Sequence, residues 1–199
     1  MTMRRSGAPR TRRAAPHVAF LRGVNNIGMT RRVSMAELRG LFEDLGFRDV
    51  RTLLNSGTVV FSSTAKKLVG ARARIEKAIA RELGVGPRVT LLSRAEIASA
   101  VRDNPFTAAA SDASRSLIVV LSDPADRERL EPLLEERWAP EKLAVGRRVA
   151  YLWCARGVAA SLLWPRLDHA LGRSGTARNM RTMTKLLAMM GTPSPRKLR

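Results

Sequence analysis

Between Phe20 and Phe61 the chain reads FLRGVNNIGMTRRVSMAELRGLFEDLGFRDVRTLLNSGTVVF. That stretch confines the first half to one plan. His17–Leu21 is a short apolar run bounded by Arg22-Gly23, as a buried strand requires. Asn25-Asn26 and Gly28 suit a loop with positive φ angles. Ser34-Met35-Ala36-Glu37 is a capping-box signature, in which the Ser34 hydroxyl accepts from the Glu37 amide and the Glu37 carboxylate from the Ser34 amide. Leu38, Leu41, Phe42 and Leu45 follow at helical spacing, and Gly46 stops the helix. Val50–Leu54 and Thr58–Ser62 then read as strands around the tight turn Asn55-Ser56-Gly57.

The same grammar continues. A helix is expected from about Lys66 to Leu83, with Leu68, Ile75, Ile79 and Leu83 on one face, and Arg88–Leu92 reads as a fourth strand. The order is then β-α-β-β-α-β, the split βαβ or ferredoxin-like plan. A second capping box, Ser93-Arg94-Ala95-Glu96, opens a helix closed by Asn104-Pro105. Beyond a small, polar linker at 107–115, Leu117–Leu121 reads as a strand and Ser122-Asp123-Pro124 as a helix start. Lys142–Val145 and Arg148–Trp153 read as a hairpin, followed by helices near 159–171 and 178–190. The second half therefore reads β-α-β-β-α, with a helix where a fourth strand would stand. The expected fold class is α+β: two ferredoxin-like lobes in tandem, with helices packed on antiparallel sheets. The expected organisation is a disordered basic tail at 1–16, an N-terminal lobe at 17–92, a connecting helix and linker at 93–115, a C-terminal α+β lobe at 116–191, and a basic tail at 192–199. Residue-level similarity between the halves is negligible, so duplication is a reading of topology alone.

Composition narrows the function classes. Apolar residues make up 45% of the 199, enough for a core. One cysteine, Cys154, permits no intrachain disulfide, and with only His17 and His169 no Cys/His cluster offers a zinc site; no metal and no cofactor is expected. No apolar run is long enough to span a bilayer and no apolar segment follows the basic N-terminus, so the expectation is a cytoplasmic protein with no membrane partner. The formal charge of +19 is carried by 30 arginines and 6 lysines against 17 acids. It fits attraction to phosphates. GC-rich codon usage on a solvated surface accounts for it more simply.

The segments FLRGVN, VSMAELRGLFEDLGFRDVRT, NSGTVVF and TARNMRTMTKLLAM resemble the domain of unknown function 1697 family of bacteria. The resemblance spans about 17–191. It implies an α+β protein of two related lobes, and no activity, cofactor or catalytic residue. This chain departs from the family pattern at several places. Ile27-Gly28 replaces a Gly-Gly pair, Thr58 follows Asn55-Ser56-Gly57 where the family has Asn, and Met180 replaces a Trp. Ala160-Ser161-Leu162-Leu163-Trp164, followed by Pro165, replaces a polar Ser-Lys-Leu-Ser/Thr-Asn run, which puts any family site on that helix in question.

Two stretches suit an anion. Arg22, Asn25, Asn26, Gly28, Arg31 and Arg32 lie between a strand and a helix N-terminus, where amides and the helix dipole attract phosphate or carboxylate. The spacing is neither a Walker loop nor GxGxxG, and a plain connection with exposed arginines fits as well. In the second stretch Thr176 is placed to cap a helix beginning near Arg178. Arg178, Arg181, Thr182 and Lys185 then share one face beside Asn179, opposite Met180, Met183, Leu187 and Met190. A solvated helix face is the alternative. Ser56 reads as a turn residue, Asp168 and His169 as surface, Cys154 as an apolar filler, and Trp138, Tyr151, Trp153 and Trp164 as core of the second half. Phe20 and Phe61 are available for base stacking, but the aromatic-rich motif of RNA readers is missing. The leading expectation is a non-enzymatic binder of a small anionic ligand. The alternative is a nucleic-acid-associated protein acting weakly through basic tails and surface. An enzyme ranks lowest, because no acid/base or nucleophile–base pair emerges. Oligomeric state is not legible.

Overall fold

The computed structural model of the protein describes residues 14–24, 32–53, 57–106 and 112–191. Most of the tail expected at 1–16, the tail expected at 192–199, most of the first loop (Asn25, Asn26, Gly28, Arg31), Asn55-Ser56 and most of the linker lie outside the described residues.

The chain is mixed α+β, with two four-stranded antiparallel sheets. The first contains β1 (Ala15–Arg22), β2 (Arg48–Thr52), β3 (Thr58–Ser63) and β4 (Arg88–Ser93) in the order β2-β3-β1-β4. The second contains β5 (Ser116–Val120), β6 (Lys142–Val145), β7 (Val149–Trp153) and β8 (Thr176–Asn179) in the matching order β6-β7-β5-β8. Helices α1 (Met35–Asp44), α2 (Ala65–Leu68), α3 (Ala71–Leu83), α4 (Arg94–Arg102), α5 (Glu131–Glu135), α6 (Leu163–Ala170) and α7 (Met180–Gly191) complete it.

Both capping boxes form: Ser34 Oγ accepts from the Glu37 amide at 3.1 Å, and Ser93 Oγ from the Glu96 amide at 3.3 Å, each with the reciprocal bond.

The central strands are buried on both faces, which is why they read as continuous apolar runs. Ala19 and Leu21 of β1, with Val59 and Phe61 of β3, face a core closed by Leu38, Phe42, Ile75 and Ile79 of α1 and α3. The alternate residues Val18, Phe20 and Val60 face the other way, into a core shared with the second sheet through Ile118, Val120, Val149 and Tyr151. Helices α4 and α7 supply Ile97, Met183, Leu186 and Met190 to this shared layer. A third core lies on the far face of the second sheet, where Leu117, Val119 and Leu152 meet Leu130, Leu163 and Leu167.

Four expectations are corrected. The helix expected from Lys66 to Leu83 breaks at Val69-Gly70: Gly70 takes a left-handed conformation (φ 64°) and Val69 is exposed, so α2 ends there and α3 starts afresh. The helix begun by Asp123-Pro124 opens as a 3-10 turn over Pro124–Leu130 before α5, and a short 3-10 turn at Val158–Ala160 precedes α6. The second half does have its fourth strand, because Thr176–Asn179 pairs with Leu117–Val120 and α7 starts only at Met180. Thr176 therefore caps no helix, and Asn179 Oδ1 accepts from the Thr182 amide at 2.9 Å instead. Finally, Phe20 and Phe61 are fully buried in the shared and first cores, so neither is free to stack on a base.

Trp138 and Trp164 pack on the third core, but Tyr151 belongs to the shared one. Cys154 fills the third core as a free thiol, and burial pushes its pKa up.

Candidate functional site

The two candidate stretches meet where β1 and β8 contact each other. Arg22 ends β1 beside Arg88 of β4, and its side chain crosses to the second half. Nη1 donates to Asp168 Oδ1 at 2.9 Å and Nη2 to Oδ2 at 3.0 Å, a two-point fork; Nη1 also donates to the Gly175 carbonyl. Asp168 was expected at the surface. It projects from α6 and its side chain is 18% exposed, held by Arg22.

Arg178 comes from the other direction. β8 places it opposite Ile118, and its guanidinium lies over the Phe20 ring at 5.6 Å. Its Nε donates to Thr58 Oγ1 at 3.1 Å and its Nη1 to the Ala177 carbonyl at 2.7 Å. Burial alone pulls its pKa down to about 10, so at neutral pH it remains a cation in a poorly hydrated place.

A row of small hydroxyls continues the junction. Thr90 Oγ1 and Ser122 Oγ lie 3.2 Å apart, Ser122 Oγ donates to the Ser174 carbonyl at 2.6 Å, and Ser174 Oγ donates to the Leu171 carbonyl at 2.7 Å. Thr176 Oγ1 is buried and has no hydrogen-bond partner among the described residues. Thr58, Thr90, Ser174 and Thr176 are all buried. Thr58 of β3 and Thr90 of β4, polar within largely apolar strands, were the sequence signal for these hydroxyls. Asp168 and Ser122 had none.

The proposed helix face does not exist as drawn. Arg178 lies on the strand, and Thr182 is buried with Met183 rather than turned to solvent. Arg181 and Lys185 are exposed on α7, and Arg32 is exposed before α1. The seam thus brings together Arg22, Thr176 and Arg178, with Asn179 one residue on as the cap of α7. Chemically it offers two guanidinium groups, one already opposed by a carboxylate, beside a helix N-terminus and an unspent hydroxyl.

No helix among the described residues is long and apolar enough to cross a membrane. The sequence model of the family described as "Protein of unknown function (DUF1697)" matches residues 15–151. The structure is similar to that of a conserved bacterial protein from Streptococcus pneumoniae, with a TM-score of 0.68 and 22% identity, covering 89% of this chain and 99% of that one. Comparison with curated proteins gave no match.

Proposed function

The chain belongs to the DUF1697 family of proteins of unknown function, and from that premise we propose that it is a non-enzymatic binding protein for a small phosphate- or carboxylate-bearing ligand. The observation that carries this reading is the convergence of Arg22 and Arg178 on one junction from opposite halves of the chain. Burial pulls the Arg178 pKa well down, to about 10, so the folded chain holds this cation against a desolvation cost. A cation held at such a cost is more use to a ligand than to the core. Asp168 serves as the internal counter-ion of Arg22, which an incoming anion displaces or shares.

The matching strand orders of the two sheets also support reading each half as a ferredoxin-like lobe, at 17–92 and 116–191. The test of function is calorimetry against nucleotides and phosphorylated metabolites. Wild type binds at least one class, and Arg178→Met loses it. A silent wild type, or a variant that binds equally well, overturns the reading.

A net charge of +19 favours a second reading, backbone-driven association with nucleic acid. With Phe20 and Phe61 buried, base stacking contributes nothing from them. A gel shift that is absent at low salt eliminates it.

A further inference from the structure

A second candidate site lies between α4 and the β6–β7 hairpin, lined by residues other than those of the seam. The two helices of the shared core differ in length: α7 runs for 12 residues and α4 for 9. The last turn of α7 closes against the first sheet, where Arg51 of β2 donates to the Met189 carbonyl. Helix α4 ends at Arg102, ahead of Asn104-Pro105, and an open groove runs along it from Ala95 to Asp103, between the helix and the β6–β7 hairpin. The groove has a volume of about 610 Å³, within the range of small-molecule sites.

Its two walls carry opposite charge. The α4 wall presents Glu96, Ser99 and Asp103, and the hairpin wall Arg147 and Arg148; the Tyr151 ring lies between, with Val149 and Ala100. Arg148 is the telling residue. Its side chain is only 25% exposed, yet its guanidinium makes no hydrogen bond among the described residues. The nearest carboxylate oxygen, Glu96 Oε1, is 3.6 Å away, and Nε is buried without a partner. Glu96 spends its other oxygen on the Ser93 amide and hydroxyl at 2.8 Å. A mostly buried guanidinium normally satisfies its donors. Here the open groove is where an acceptor can reach them. Across from it, among the described residues, Asp103 is paired with its exposed neighbour Arg102, a pair that costs little to exchange.

The geometry points to a binding site for a small zwitterion of the amino-acid class with an apolar side chain: its carboxylate on Arg148, its ammonium on Asp103, and its apolar part against Tyr151 and Val149. The site shares no residue with the seam and stands or falls independently of it.

Amide chemical shifts of the full chain, titrated with L-phenylalanine and with L-leucyl-L-phenylalanine, test it and separate free amino acid from dipeptide. Shifts are expected across 95–103 and 145–151 for at least one of them. 3-Phenylpropionate and phenethylammonium, each lacking one charge, are expected to bind at least about tenfold more weakly, as is L-phenylalanine to Arg148→Met. Ser99→Trp fills the groove and abolishes the shifts. Should that variant not fold, Arg147→Glu, at an exposed position, reverses the charge of the wall and weakens binding. Equal binding of the singly charged probes, binding unchanged in Arg148→Met, or no shift with either zwitterion at about 10 mM overturns the proposal.

Discussion

Arg22 and Asp168 are held face to face by two parallel bonds, of 2.9 and 3.0 Å, that join the end of the first central strand to α6 of the other half. With side chains 28% and 18% exposed, the pair is sheltered enough for its loss to be felt. Asp168→Asn keeps the shape but removes the charge and one acceptor. We expect a loss of about 1–3 kcal/mol in urea unfolding. We also expect tighter binding of a phosphate ligand, because Arg22 then lacks its internal counter-ion. Weaker stability together with weaker anion binding makes Arg22 a structural clamp only.

Arg178 predicts the reverse pairing of effects. Its burial pulls the pKa down to about 10, so at every pH below that the folded state carries the desolvation cost of a cation. Replacing it by Met keeps the contact with Phe20 and removes the desolvated charge, while giving up the bond to Thr58. Thermal unfolding of Arg178→Met is expected to stay within about 1 kcal/mol of wild type or to rise. Anion binding is expected to be lost. A collapse of stability shows that the guanidinium is chiefly a core residue.

What the sequence made legible was local. The capping boxes at Ser34 and Ser93 need only four residues each, and both formed. The runs at Val18–Leu21 and Leu117–Leu121 announced two-sided burial without naming what covers them. β8 escaped notice because Thr176-Ala177-Arg178-Asn179 is polar, and its strand character comes from the free edge of β5. The Arg22–Asp168 fork escaped because its partners are 146 positions apart. The groove escaped because it forms between α4 and the β6–β7 hairpin, two segments about 45 positions apart that no single stretch reveals together.

Tyr151 offers a single-site titration, since the chain has one tyrosine. It is 4% exposed, and burial, with Asp103 nearby, raises its pKa above 10. The folded state therefore holds the phenol proton more tightly than the unfolded state. The corresponding stability is fully present below the unfolded pKa and is lost as pH rises through the folded one. Phenolate absorbance of the native protein is expected to titrate later than that of urea-unfolded protein. The alkaline fall in the urea midpoint is expected to shrink in Tyr151→Phe. Coincident titrations of native and unfolded protein contradict the buried placement.

Two glycines with nearly the same backbone angle separate strain from crowding. Gly70 (φ 64°) has open space where a Cβ would stand, so Gly70→Ala costs only the left-handed conformation, about 1 kcal/mol. At Gly57 (φ 66°) a Cβ would lie 2.7 Å from the Leu21 carbonyl oxygen, and the Leu21 amide donates to the Gly57 carbonyl at 2.7 Å, just past the Thr58 end of the β1–β3 ladder. A backbone atom there can yield only by moving β1. Gly57→Ala is therefore expected to cost about 2–4 kcal/mol, the sum of strain and overpacking. Because β1 carries Arg22 at its end, that displacement also weakens ligand binding at the seam, whereas Gly70→Ala leaves binding unchanged. Paired urea melts and calorimetry on the two variants check both parts, and equal costs for the two substitutions contradict the close approach of Gly57 to β1.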